Sequence, residues 1–205
     1  MEAPLVRYLK FRPLEEVWLE MQSFTAQRSA ATLDEVWFVE HPPVYTLGMR
    51  ADRTHLLAPG DIPVVQIDRG GQVTYHGPGQ LVAYVLVNLE RRALTPRKLV
   101  QALEGAVIDT VAGYGVVANA RRDAPGVYVA GAKLAAVGLR VKRHCSYHGL
   151  AVNVAMDLTP FAGINPCGYA NLPVTDLRTL AGVQSIEEFR RDFEPRLIAK
   201  LAPSC

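Results

Sequence analysis

Cysteine is scarce. Cys145, Cys167 and Cys205 are the only three in 205 residues. An odd, sparse set does not form a disulfide framework, and it fits a reducing compartment. Long apolar runs are also missing: the best, Leu81 to Val87, is far too short to span a bilayer. Met1 to Lys10 lacks the basic start and apolar core of a signal peptide. These absences predict a soluble, cytoplasmic protein with no membrane partner. An excess of charge of one sign is nearly absent, with a formal net of only +2, so the bulk molecule gives no case for nucleic acid. Basic residues gather only at Arg91-Arg92, Arg121-Arg122 and Arg140 to Arg143, and each cluster reads as a solvated face. The histidines show no close ligand spacing, so no metal is expected. Repeats and linkers are absent.

What is present is an ordinary globular composition, 49% apolar and 20% charged, long enough to bury a full core. Val6 to Lys10 alternates weakly as a strand. Leu14, Val17, Trp18, Met21 and Phe24 recur at helical spacing within Leu14 to Arg28. Val36 to Val39 is a strand stopped by His41-Pro42-Pro43, and Val64 to Ile67 is a short one. Leu81 to Asn88 is apolar almost throughout and predicts a strand buried on both faces. Thr95-Pro96 opens a helix whose inner stripe is Leu99, Leu103, Val107 and Val111, closed by Gly113 and Gly115. Val127 to Ala130 and Leu134 to Val141 predict a hairpin around Gly131-Ala132. Tyr147 to Val154 is another strand. Ser185 and Glu188 form a capping box for a last helix, with Ile186, Phe189, Phe193 and Leu197 inward and a kink expected at Pro195. Interspersed strands and helices with hairpins predict an α/β (α+β) fold built on a mixed β-sheet.

Three segments stand out as chemical. In the first, Arg69 to Gln80, four glycines fall between Gly70 and Gly79, which lets backbone approach a ligand closely. The segment lacks the Gly-Lys-Ser/Thr ending of a nucleotide loop and the dinucleotide fingerprint. A tight surface loop is the plain alternative. The third segment holds Cys167 between Asn165-Pro166 and Gly168-Tyr169, a loop setting rather than a core strand. A nucleophilic cysteine needs its thiolate stabilised, because a free thiol titrates near ~8.5. An ammonium about 4 Å away contributes roughly 4 kcal/mol at an effective dielectric near 20. Lys133, in the second segment, Gly131 to Gly138, is the candidate, and a hairpin lysine reaching water is the alternative. His76 and His148 each precede a glycine and suit proton relay. Cys145 and Cys205 read as incidental.

Together the segments resemble the octanoyltransferases, the lipoyl(octanoyl) transferases that attach octanoyl groups to lipoyl domains. Arg69, Gly70, Gly71, Thr74, Tyr75, His76, Gly79, Gln80 and Tyr84 satisfy one signature of that family. Pro125 to Val129, Gly131 to Gly138, His148 to Asn153 and Asn165 to Tyr169 satisfy the others. The resemblance covers roughly residues 35 to 180. It implies that Cys167 carries the acyl thioester and that Lys133 assists it. It assigns substrate binding to Arg69, Gly70, Gly71, Gln72, Val73, Thr74, Tyr75 and His76, and to Ala136, Val137, Gly138, Gly149, Leu150 and Ala151. It implies a fold like the biotin and lipoate protein ligases and no cofactor. One catalytic domain over residues 1–205 is expected, and a monomer, since no strong exposed apolar stripe argues otherwise. The implied partners are octanoyl-acyl carrier protein and lipoyl domains of 2-oxoacid dehydrogenase complexes and the glycine cleavage H protein. An ATP-dependent lipoate or biotin ligase-like enzyme and a non-catalytic lipoyl-domain adaptor are the rival readings. The ligase would not need Cys167, and retention of both Cys167 and Lys133 counts against the adaptor.

Overall fold

A computed structural model of the chain describes residues 2–202; Cys205 lies outside the described residues. A seven-stranded sheet forms the centre, in the order β1 (Leu5–Phe11), β2 (Glu35–Glu40), β6 (Gln80–Leu86), β10 (Cys145–Asn153), β9 (Ala132–Lys142), β8 (Gly126–Val129) and β7 (Asn119–Ala120). β1 and β2 run parallel and every other neighbouring pair is antiparallel. A second, three-stranded sheet joins β4 (Val64–Gln66), β3 (Val44–Leu47) and β5 (Thr74–His76). The mixed sheet and flanking helices expected from the sequence are therefore present.

The large sheet is covered on both sides. Val36, Phe38, Leu81, Ala83 and Val85 pack with Leu99, Leu103, Val107 and Val111 of α2 (Pro96–Ala112) and with Phe189, Phe193 and Leu197 of α4 (Ile186–Leu201). The alternate residues Trp37, Val39, Val82, Tyr84 and Leu86 pack with Val17 and Met21 of α1 (Leu14–Gln27). This explains why β6 reads as an unbroken apolar run although its neighbours are antiparallel: helices remove water from both faces, as they do in parallel sheets.

The helix starts follow their local chemistry. Thr95 Oγ1 accepts from Lys98 N at 3.2 Å with Pro96 in the first turn. Ser185 Oγ accepts from Glu188 N at 3.2 Å, while the Glu188 carboxylate accepts from Gln184 N rather than from Ser185. The sequence reading missed β3 and β5, short strands flanked by proline or glycine, and α3 (Leu177–Ala181), which Asp176 caps. Their pairing is tertiary, so local periodicity does not reveal it.

One basic cluster is not a solvated face. Arg92 is 2% exposed and its Nε lies 2.5 Å from Asp34 Oδ2; Arg28 and Arg91 share the other oxygen of that carboxylate. Arg92 also donates to the Leu201 carbonyl. The Asp34 carboxylate thereby ties the end of α1, the loop after β6 and the end of α4 together. Burial alone pushes the Asp34 carboxyl up, but the donors from Asn88, Arg91 and Arg28 outweigh it, so it sits below the usual range.

Candidate active site

Lys133 does not reach water. It is 4% exposed, and its three ammonium donors are all occupied: by Cys167 Sγ at 2.7 Å, Tyr128 Oη at 3.1 Å and the Pro125 carbonyl at 3.2 Å. Tyr128 donates its own proton to the Ala124 carbonyl at 2.8 Å, which turns an oxygen lone pair toward the ammonium. A Cβ built on Gly126 would lie 3.1 Å from Nζ and 2.3 Å from the Ala135 carbonyl oxygen, so glycine is what leaves room for the lysine.

Cys167 sits in a single 3₁₀ turn, Pro166–Gly168, with φ of 56° and ψ of 17°. That left-handed conformation is uncommon for a residue with a Cβ and is found at functional sites held by their surroundings. The surroundings are visible. Asn165 N donates to the His55 carbonyl at 2.8 Å before the turn. After it, Lys133 N donates to the Pro173 carbonyl at 2.8 Å and Thr175 N donates back to the Lys133 carbonyl at 3.0 Å. The Cys167 loop is stitched to β9 at the lysine itself.

The sulfur opens on a pocket of about 520 Å³, mouth included. Its floor is one face of the large sheet. Register places Gly149 opposite Tyr84 and Gly138, and Ala151 opposite Val82 and Ala136. Four small residues side by side on two strands make a trough in an otherwise bulky sheet. Arg69, Gly71, Gln72, Val73, Thr74 and His76 supply the other wall, with Val137, Leu150 and Cys167. Two of the residues expected to bind substrate stand outside the lining. Tyr75 points to the opposite side of β5, against Tyr45 and Phe161, because neighbours in a strand face opposite ways. Gly70 binds by its N–H to the Leu139 carbonyl at 2.9 Å and so fastens the loop to β9. Cys145 is buried at the far end of β10 and is not in the lining. The sequence reading missed Ile67 and Val82 and gave Tyr84 no wall role. β6 is apolar on both faces, so its sequence does not tell which of its residues face the pocket.

Arg69 is buried, and its guanidinium donates to Thr46 Oγ1 (3.2 and 2.8 Å), to the Thr46 carbonyl at 2.7 Å and to the Gly70 carbonyl at 2.9 Å. Desolvation pulls it down to about 10, against the opposing pull of Cys167, and it stays charged at neutral pH. The histidines do not. Desolvation holds His76 at about 3 and His41 at about 4, and lowers His148 as well. His76 Nδ1 lies 2.7 Å from Gln80 Oε1, whose amide nitrogen donates to the Tyr75 carbonyl and Asn153, so Nδ1 carries the proton. His41 likewise donates to the Arg12 carbonyl and accepts from Tyr84 Oη, both at 2.7 Å. His148 donates from Nε2 to Asp68 at 2.9 Å; Asp68 also accepts from Trp18 and Tyr147. Neutral rings leave the pocket compatible with an alkyl chain.

These histidines make the fold sensitive to acid. Each is neutral when folded and protonates near pH ~6.5 when unfolded, so its contribution is complete above that value and is lost as pH falls toward the folded value. At pH 5, His41 and His76 each cost about 2 kcal/mol, from about 1.4 kcal/mol per unit. The lowered carboxylates Asp34 and Asp68 add nothing above pH 5, since their unfolded value is already 3.8. The urea midpoint is expected to fall by the equivalent of about 4 kcal/mol between pH 7.5 and pH 5; an unchanged midpoint contradicts the neutral assignment.

The chain is similar to known proteins in sequence and in fold. Residues 13–198 match the family model "Lipoyl protein ligase A/B catalytic domain". An octanoyltransferase of Thiobacillus denitrificans is 60% identical over 187 residues, 91% of this chain and 86% of that protein. Among solved structures, the bi-partite lipoate protein ligase of Thermoplasma acidophilum, described with its E2 lipoyl domain, superposes with a TM-score of 0.73 at 14% identity, over 98% of this chain and 84% of that one. The biotin protein ligase of Aquifex aeolicus gives 0.58 at 13% identity, over 98% and 69%. At those identities the structures speak for the fold alone.

Proposed function

This chain belongs to the octanoyltransferases of the lipoyl protein ligase A/B catalytic family, and from that premise we propose that Cys167 is its acyl-carrying nucleophile and Lys133 its proton shuttle. The enzyme transfers an octanoyl group to lipoyl-domain lysines through a thioester. The single observation that supports this assignment of residues is the 2.7 Å contact between the buried Lys133 ammonium and the Cys167 sulfur at the mouth of an apolar trough.

The chemistry balances without a nucleotide. In the first half-reaction the Cys167 thiolate attacks the carbonyl of a carrier-bound octanoyl thioester. The new carbon–Sγ bond forms, the carrier's carbon–sulfur bond breaks, and the Lys133 ammonium gives its proton to the departing thiolate. In the second, the neutral amine of the target lysine attacks. The carbon–nitrogen bond forms, the electron pair returns to Sγ, and the amine's proton goes to the now neutral Lys133. Thioester to thioester is nearly balanced, and thioester to amide runs downhill. Seating the alkyl chain on Ala136, Gly138, Gly149 and Ala151 contributes about 0.8 kcal/mol per methylene. Arg69, Gly71, Gln72, Val73, Thr74, His76, Val137 and Leu150 complete the acyl site, with Gly70 fixing its loop. We assign the donor as octanoyl-acyl carrier protein. The acceptors are the lipoyl domains of 2-oxoacid dehydrogenase complexes and of the glycine cleavage H protein. The chain works as one catalytic unit and as a monomer in the cytoplasm. Among the described residues no helix is long and apolar enough to cross a membrane.

The test is intact mass without nucleotide. Mixed with octanoyl-acyl carrier protein, the enzyme should gain one hydroxylamine-labile octanoyl group, and adding a lipoyl domain should move that mass to a domain lysine. A dependence on ATP, or the absence of a labile adduct, overturns the reading.

A further inference from the structure

Across the Pro125–Gly126 peptide from Lys133 stands a buried carboxylate that the mechanism above does not use. Glu104 of α2 is 6% exposed. Its Oε1 accepts from Gly126 N at 2.8 Å, and Gly126 is the residue whose missing side chain leaves Nζ its space. Carboxylate and ammonium thus face each other across one peptide unit. Glu104 also lines a surface groove with Arg97, Arg121 and Arg122, so it forms the wall between that groove and the lysine.

We propose that Glu104 is a positioning residue for Lys133: it fixes the Gly126 peptide around the lysine, and its negative charge holds the amine as an ammonium aimed at Cys167. This rests on the reading of Cys167 and Lys133 given above. A lysine enclosed by protein loses much of its hydration, and a buried ammonium needs compensating charge. The thiolate supplies one. It vanishes when the sulfur is acylated, and it is absent whenever the sulfur is protonated. Glu104 is present in every state. The two partners are set apart in kind: the thiolate touches Nζ, whereas Glu104 acts through space, near enough to bias the charge and without a hydrogen bond that would hold the proton. The remaining groups around the lysine do not replace it. Tyr128 from β8 touches Nζ as a neutral phenol, kept protonated by burial. Arg121 lies over the Tyr128 ring at 5.2 Å and adds positive charge, itself answered by Asp123 at 2.6 Å. Arg69 is positive and on the pocket side. With Asp123 paired to Arg121, Glu104 is the constant anion among these groups that is left to face the lysine. Burial raises the Glu104 carboxyl, and the Gly126 N–H and Lys133 both act against that rise, as expected of a carboxylate that feels the ammonium.

The experiment compares wild type, Glu104→Gln and Glu104→Asp by the pH dependence of acyl-enzyme formation, with thermal midpoints read in parallel. Gln keeps the shape and the acceptor for Gly126 N but removes the charge; Asp keeps the charge and withdraws the acceptor. The expected result is that Gln moves the alkaline limb down by about one pH unit, and so loses activity at high pH by about tenfold. Asp is expected to keep the wild-type limb. The opposite order, with Gln like wild type and Asp impaired, shows a purely structural carboxylate and overturns the inference. So does a uniform loss in Gln at every pH. If wild type itself forms no acyl enzyme, the reading beneath fails instead, which the wild-type trace alone reveals.

Discussion

Cys167→Ser is expected to form no hydroxylamine-labile octanoyl adduct and to lose at least about 10⁴-fold in transfer rate. Cys145→Ala is expected to behave as wild type in both. The size of the first effect follows from what is removed. A hydroxyl in place of the thiol is a far weaker nucleophile and a poorer leaving group. Lys133 is built to donate: its neighbours Tyr128 Oη, the Pro125 carbonyl and Sγ all accept from it. His76 is neutral, but Thr46 Oγ1, 3.5 Å away, is the hydroxyl its Nε2 faces. The contrast with Cys145 follows from position. Cys145 is buried where β10 begins, paired with Lys142, and away from the pocket. Intact mass spectrometry of the three proteins decides the matter. A labile adduct on Cys167→Ser that disappears in Cys145→Ala would transfer the role to Cys145.

Gly149→Ala is expected to destabilise the fold by about 3 kcal/mol or more, read as a fall in urea midpoint. The reason is space rather than backbone conformation. A Cβ at this position would stand 2.0 Å from the Ala83 carbonyl oxygen and 3.2 Å from the Tyr84 Cα. Those atoms belong to β6, at the centre of the sheet, and no side-chain rotation relieves the clash. The strands β6 and β10 must part, and both helix-covered faces share that displacement. Gly138→Ala is the useful contrast. Its Cβ would meet Arg69 Cδ and the Gly70 carbonyl, both at 3.1 Å, so part of the strain falls on a side chain. It should cost less stability and act more on the acyl wall. Equal midpoints for Gly149→Ala and wild type would show that β6 and β10 are not paired as described.

Much of this was legible in the sequence where one local rule governs one element. The α2 helix is an example: Thr95-Pro96 opens it, a four-residue stripe buries it, and Gly113 closes it, with no tertiary help required. The site was legible in part for another reason: the resemblance of its motifs to the octanoyltransferases names Ala136 to Gly138 and Gly149 to Ala151, which periodicity alone does not mark. Illegible were the features that arise only when distant segments meet. β5 is a strand because β3 lies beside it. Arg92 reads as a surface charge until Asp34, 58 residues away, arrives beneath it. Lys133 reads as the candidate partner of Cys167, but with a hairpin lysine in water as the alternative, and its burial shows only where the Pro173 to Thr175 segment docks on it. Glu104 sits on the inner side of an amphipathic helix, where one acidic residue gives no signal of its own.

The stitching of Lys133 into the segment that follows Cys167 has a kinetic side. The same residue supplies the ammonium and, through its own amide and carbonyl, anchors the far end of the nucleophile loop. Two backbone hydrogen bonds therefore tie loop and lysine to each other. On the reading proposed above, donor and acceptor use the one opening at Cys167 in turn, and excess spent carrier is expected to inhibit competitively against the acceptor.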